Sequence, residues 1–298
     1  MSVDPSIVLV EGPWTHTYVA ANGARFHVAL AGPDDFRAPL VVLLHAFPQL
    51  WYAWRAQLPA LAEAGYRVAA MDLRGFGASD KPPMGHDTPS LVADVAGVIR
   101  SLGASEAVVV GHGYGGGIAW SMPAFAPEVT RAVATLGAPH PVALRRRRLP
   151  MRTLATLARL QLPWFPERAL RTPGGVTRLL RAWGAPGWEG DATQLYNDAM
   201  RLPFVAHTSL ELVRWQVRST PRPDGRRYLA ALHDPVTVPV LSLHGTRDRF
   251  VAPSASRRDA EFVDGPYAFR TIEGAGHFLP EEAPDDVTRH LLEFLETV

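Results

Sequence analysis

Three short stretches carry residue types that could do chemistry together. The first is Ala107-Val-Val-Val-Gly111-His112-Gly113-Tyr114-Gly115-Gly116-Gly117, a β-branched run that ends in glycines, with helix formers following from Ile118 to Phe125. A strand, a sharp turn and a helix form the setting of a nucleophile elbow, G-x-nucleophile-x-G. The second stretch is His244-Gly-Thr-Arg-Asp248, and the third is Gly274-Ala-Gly-His277-Phe278; each follows a strand pattern. An acid at 248 and a base at 277, both after the elbow, give the chain order nucleophile, acid, histidine. His277 sits in a glycine-bracketed loop, free to reach inward. Asp248 would fix its tautomer and stabilise its protonated form. Asp248 has a plainer alternative, a turn or capping residue.

The atom that would attack is missing, because residue 113 is glycine. A glycine-rich turn can also be simple close packing, or part of a dinucleotide site, since Gly111-x-Gly113-x-x-Gly116 fits G-x-G-x-x-G. A nucleotide site belongs after the first strand, with an acid about 20 residues on. Several strand patterns precede this one, which weighs against that reading. Upstream, His45-Ala-Phe-Pro48 follows a strand. There the backbone N–H groups of Phe47 and Tyr114 would form a pair of donors for a developing oxyanion. His45 is expected to hold this turn beside the substrate pocket, and His112 to pack beneath the elbow. Cysteine is absent, which removes disulfides, thiolate metal sites and a cysteine nucleophile. No histidine pair has H-x-x-x-H spacing, so neither metal nor cofactor is expected.

These stretches need a scaffold that brings them to one place. Thr15 to Val19 and Arg25 to Ala31 read as antiparallel strands around the turn Ala21-Asn22-Gly23-Ala24. Pro39 to His45 is a continuous apolar strand, as expected for one buried on both faces. A helix is expected over Trp51 to Ala64, with Trp54, Leu58 and Leu61 at helical spacing. Strand Tyr66 to Met71, a loop from Asp72 to Asp80 and helix Thr88 to Leu102 come next. After the elbow lie strand Arg131 to Leu136, strand Val238 to Leu243, helix Ala255 to Phe262, strand Ala268 to Ile272 and helix Pro280 to Leu295. The alternation implies an α/β fold with a mostly parallel central sheet flanked by helices.

One segment breaks the pattern. From Pro141 to about His233 the chain is rich in Arg, Leu, Trp and Pro, with helical fragments and no convincing strand. It reads as a helical lid, residues 141–233, inserted into a core formed by 1–140 and 234–298. Its tryptophans, Trp164 and Trp215 among them, are expected to close an apolar pocket over the elbow, with Phe278 on the core side. The run Arg145 to Arg148 could grip an anion but reads more readily as a solvated helix face.

Composition bounds the rest. Of 298 residues 47% are hydrophobic, which suits a well-buried core, and a net charge of +1 argues against a general nucleic-acid partner. No apolar run approaches the roughly 18 residues that would span a bilayer, and Met1 to Gly12 lacks a basic leader, so a cytoplasmic monomer or homodimer is expected.

Three motifs together resemble soluble epoxide hydrolases of the α/β-hydrolase superfamily, with haloalkane and fluoroacetate dehalogenases as close relatives. They are His45-Ala-Phe-Pro-Gln-Leu-Trp-Tyr-Ala-Trp-Arg55, Met71-Asp-Leu-Arg-Gly-Phe-Gly-Ala-Ser-Asp-Lys-Pro82 and Gly111-His112-x-x-Gly-Gly116. The resemblance implies an aspartate at 113 that opens an epoxide through an ester, which Asp248 and His277 then hydrolyse. It also implies glycine at 46, where this chain has alanine, and lid tyrosines that protonate the epoxide oxygen. One tyrosine position falls on Val213; Tyr196 and Tyr228 are the lid tyrosines that could substitute.

A glycine at 113 excludes the ester route. Losing a triad nucleophile costs on the order of a million-fold in rate, yet roughly a thousand-fold acceleration can persist from the anion hole and binding. A vacated side chain leaves space for roughly one water of about 30 Å³ beside His277. The leading expectation is therefore an epoxide-hydrolase-like protein that hydrolyses a small apolar substrate with His277-activated water. The alternatives are an inactive hydrolase fold that binds a hydrophobic ligand, and non-hydrolytic chemistry with His277 as base. Gly113 is either natural or a recent or laboratory replacement of aspartate. Restoring aspartate is expected to cost about 1–2 kcal/mol, backbone strain partly offset by pairing with protonated His277.

Overall fold

The computed structural model describes residues 3–145 and 149–298. Of the arginine run only Arg145 is described; Arg146, Arg147 and Arg148, and the solvated face expected there, lie outside the described residues. Eight strands form one sheet: β1 (Thr15–Ala21), β2 (Ala24–Ala31), β3 (Leu40–Leu44), β4 (Arg67–Met71), β5 (Ala107–His112), β6 (Thr130–Leu136), β7 (Val240–Gly245) and β8 (Tyr267–Ile272). Their order across the sheet is β1-β2-β4-β3-β5-β6-β7-β8. β1 and β2 pair antiparallel, as do β2 and β4, and every later pairing is parallel.

Sequence and position agree along the sheet. The interior strands β3 and β5 are buried at every residue and read Leu-Val-Val-Leu-Leu and Ala-Val-Val-Val-Gly-His. The edge strand β1 alternates exposed and half-buried residues, as a strand with one wet face does. Parallel pairing also decides where the chemistry can gather. Leu44 pairs with Gly111, Leu136 with His112, Leu136 with Leu243, and Gly245 with Ile272. The carboxyl ends of five parallel strands thus share one edge of the sheet, where ligand crevices of α/β folds form.

Helices fill the connections: α1 (Gln57–Glu63), α2 (Thr88–Ser101), α3 (Tyr114–Phe125), α4 (Pro141–Arg145), α5 (Met151–Leu160), α6 (Phe165–Leu170), α7 (Gly175–Trp183), α8 (Thr193–Ala199), α9 (Val205–Arg218), α10 (Pro223–Ala231), α11 (Leu279–Glu282) and α12 (Pro284–Leu295). Helices α4 to α10 all lie between β6 and β7, with no strand among the described residues there.

Three expected helices take another form. The stretch Trp51 to Ala64 divides into a 3-10 turn, Trp51–Trp54, and α1. Pro253–Phe262 is 3-10 helical. The last helix breaks at Ala283 (φ −144°, ψ 61°) because Pro284 follows, and a residue before proline is pushed out of the α region.

Candidate functional site

The loop after β8 carries His277 and the loop after β7 carries Asp248. The His277 Nδ1 proton faces Asp248 Oδ2 at 2.8 Å, with both side chains buried. Asp248 Oδ1 accepts the backbone N–H groups of Phe250 at 2.7 Å and Val251 at 2.9 Å, so the carboxylate cannot swing away. His244 stands behind it, Nε2 at 3.3 Å from Oδ2. Burial by itself would raise the Asp248 carboxyl, but the charge of His277 and the bonds from His244 and His277 outweigh it and hold the group well below the usual carboxylate range. Asp248 is therefore an anion facing Nδ1, and among the described residues nothing bonds Nε2 on the far side of the ring.

The His277 loop is held by a residue that the sequence reading passed over. Glu282, in α11, accepts the N–H of Gly276 at 2.7 Å and of Phe278 at 2.8 Å, on either side of His277. It also accepts the N–H of Ala185, from the segment between β6 and β7, at 2.9 Å. The spacing His277-Phe-Leu-Pro-Glu-Glu282 was the available signal, a carboxylate one turn after the loop it caps. From below, His112 Nε2 donates to the carbonyl of His277 at 2.7 Å. Burial, reinforced by the charge of His277, lowers His112 to about 3, so it is a neutral packing group as expected.

Opposite His277 lies the turn between β5 and α3. Gly113 has φ 52° and ψ −112°, a conformation natural to glycine and strained for other residues. A Cβ built on it would lie 3.3 Å from His277 Nε2 and 2.9 Å from the Ala46 methyl. The histidine's free nitrogen is therefore aimed at residue 113. Gly113 is itself half-buried while its neighbours His112 and Tyr114 are buried. Phe47 and Tyr114 flank the same space, their rings 6.3 Å apart edge to face. Among the described residues neither of their backbone N–H groups donates a hydrogen bond. His45 does not face the space. Its Nδ1 donates to Ala46 O at 3.0 Å, its Nε2 accepts from Leu73 N at 3.1 Å, and burial lowers its pKa, so it fastens the turn as a neutral ring.

Aromatic rings wall the space. Phe250 and Phe278 lie 5.0 and 5.2 Å from the His277 ring, and Trp183 lies 5.9 Å from it. Trp183, at the end of α7, also packs on Phe47 at 6.3 Å and on Phe250 at 4.2 Å. Trp188 stacks on Phe278. Phe278 is thus brought to the site, whereas the tryptophans that meet it are Trp183 and Trp188. The irregular helices around them gave no period from which to choose them. Trp164 instead is 70% exposed and stacks on Phe165. Trp215 packs edge-on against Tyr228, in a small cluster with Val142 and Phe262.

The tyrosines lie elsewhere too. Tyr228 shares a hydrogen bond of 3.0 Å with Ser121 Oγ. Tyr196 is fully buried, its phenol raised by burial and by the neighbouring charge of Glu281, which also receives Gln49 and Arg55. Val213 is buried in α9; one turn further on, Gln216 Nε2 comes within 3.5 Å of where a Gly117 Cβ would be. Val213 itself has no proton to give. Among the described residues no group of three or more His, Asp or Glu side chains is arranged to hold a metal ion.

With this geometry established, known proteins provide a comparison. The family pattern described as alpha/beta hydrolase fold matches residues 39–284. Epoxide hydrolase A of Mycobacterium tuberculosis is 33% identical over 95% of this chain and 98% of its own. Human epoxide hydrolase 4 is 30% identical over 95% of this chain and 79% of its own. Among solved structures, epoxide hydrolase A from Mycobacterium thermoresistibile superposes with a TM-score of 0.79 at 27% identity, covering 95% of this chain and 98% of that one. An epoxide hydrolase from an endophytic Streptomyces gives 0.77 at 28% identity, covering 96% of each.

Proposed function

The chain belongs to the alpha/beta hydrolase fold family as an epoxide hydrolase-like member, and we propose that it hydrolyses a small apolar epoxide or ester without a covalent intermediate. Residue 113 stands at the nucleophile position of the elbow and has no side chain to attack with. His277 acts as the general base on water, Asp248 sets its tautomer, and residues 141–233 form the cap over the site.

One observation carries this reading: among the described residues nothing bonds His277 Nε2, and it points at the half-buried backbone of Gly113, only 3.3 Å from where a side chain would begin. The Ala46 methyl keeps a water off the vanished Cβ itself, since 2.9 Å is too close for a carbon contact and tight for water. The water sits further out, within the roughly 2.6–3.2 Å hydrogen-bond reach of Nε2. As its oxygen attacks the electrophilic carbon, its proton passes to Nε2. In an epoxide the bond to the ring oxygen breaks and that oxygen takes the electron pair; in an ester the carbonyl oxygen takes the pair first and gives it back as the bond to the alkoxide oxygen breaks. The N–H groups of Phe47 and Tyr114 are the donors available to the oxygen that first takes the pair. His277 then returns the proton to the departing oxygen, which restores the neutral imidazole. Phe250, Phe278 and Trp183 supply an apolar wall, consistent with a substrate of that character.

The test is turnover on a panel of small epoxides and esters by this chain and by His277→Ala. Activity in the first and its loss in the second is expected. Inertness of the parent chain across the panel, or equal rates in both proteins, would overturn the proposal.

A further inference from the structure

We propose that Ala46 is the steric counterpart of Gly113: its methyl occupies the gap that a side chain at 113 would need, so the two positions are coupled in stability. The gap is narrow. An ideal Cβ on Gly113 would stand 2.9 Å from Ala46 Cβ, well inside the roughly 3.5–4.0 Å at which carbons pack. Neither wall can retreat. On one side, Ala46 is fully buried and its carbonyl is bonded by Gln49 N at 2.9 Å and by His45 Nδ1 at 3.0 Å; His45 is pinned in turn by Leu73 N.

On the other side, Gly113 N donates to Leu136 O at 2.9 Å and Gly113 O accepts from Gly117 N at 3.1 Å. The spacing between the walls is also fixed by backbone contact. A Cβ on Gly115 would fall 2.4 Å from Leu44 O and 2.7 Å from His45 O, so α3 already rests directly on the end of β3. A side chain at 113 therefore meets a methyl that has nowhere to go.

A double-mutant cycle on thermal stability tests the pairing, using Ala46→Gly, Gly113→Ala and the double variant. Gly23→Ala serves as control, since Gly23 also has positive φ (73°) but nothing within 4 Å of its Cβ position, so it reports backbone strain alone. Gly113→Ala is expected to lower Tm more than Gly23→Ala does. Ala46→Gly should recover at least half of that excess at 113 and leave the Gly23→Ala loss unchanged. Equal losses from Gly113→Ala in both backgrounds, including failure of both proteins to fold, would overturn the pairing. Folding only with glycine at 46 would support it. None of these readouts needs turnover, so the result is independent of whether the chain hydrolyses anything.

Discussion

At the scale of single residues, the account turns on which nitrogen of His277 is free. Asp248→Asn isolates that point. The asparagine oxygen can keep the Phe250 and Val251 N–H bonds, which leaves an amide N–H₂ facing Nδ1 and favours the wrong tautomer. We expect a folded protein whose kcat falls by about 10²–10⁴, the usual worth of a general base. Circular dichroism checks the fold, and wild-type kcat in a folded Asn variant would contradict the assignment. Residue 113 has a cost of its own. From the sequence only backbone strain was countable, and it set the loss for Gly113→Asp at about 1–2 kcal/mol. The Ala46 contact at 2.9 Å adds overpacking of about 1–3 kcal/mol. Denaturant unfolding should therefore show a loss above about 2 kcal/mol, and a smaller one would mean that the elbow can relax. That contact was illegible in the sequence because 67 positions separate its partners; only the register of Leu44 against Gly111 brings them together.

At the scale of elements, one carboxylate holds the loop that carries His277. Glu282 gathers three N–H groups around the His277 loop, from Gly276, Phe278 and Ala185. Glu282→Ala leaves these donors without their acceptor and should cost about 3 kcal/mol or more, with a drop in kcat as His277 loosens. Chemical denaturation and kinetics on the same preparation check both, and stability kept at the parent value would exclude the staple. The 3-10 stretch after β7 holds a buried carboxyl, Asp259. Burial raises Asp259 to about 7 although its Oδ1 accepts the His140 N–H at 2.9 Å. A carboxyl raised in the folded state holds its proton after the unfolded chain has lost one. Its contribution is complete below about pH 4 and falls as pH climbs to about 7, by roughly 1.4 kcal/mol per unit. Asp259→Asn should remove this slope, so the variant gains on the parent between pH 4 and 7. A stability difference independent of pH would contradict it. Element types were largely readable in advance because short β-branched apolar runs such as Leu40–Leu44 and Ala107–His112 match the pattern of buried parallel strands. The break at Ala283 was present in the sequence too, in the proline that follows it.

At the scale of the whole molecule, the carboxyl edge of the sheet meets the helices between β6 and β7 through aromatic rings. Trp183 joins that segment to Phe47, Phe250, His277 and Phe278. Trp183→Ala is expected to raise KM for apolar substrates and to lower stability by about 3–5 kcal/mol, as for a buried tryptophan. An unchanged KM would place substrate elsewhere. The sheet, the chain order of the site and the aspartate–histidine pair were legible because strand ends repeat a simple pattern. The wall of the site was not, because Trp164, Trp183, Trp188 and Trp215 look alike in sequence and only packing separates the exposed from the enclosed. The central claim is hydrolysis by water with no covalent intermediate, and one measurement addresses it directly. A single turnover is run with enzyme in excess in heavy-oxygen water, and both product and protein are weighed by mass spectrometry. The account predicts one heavy oxygen in the product of the first turnover and none in the protein. Unlabelled product from that turnover, with the heavy oxygen later found in a protein carboxylate, would contradict it.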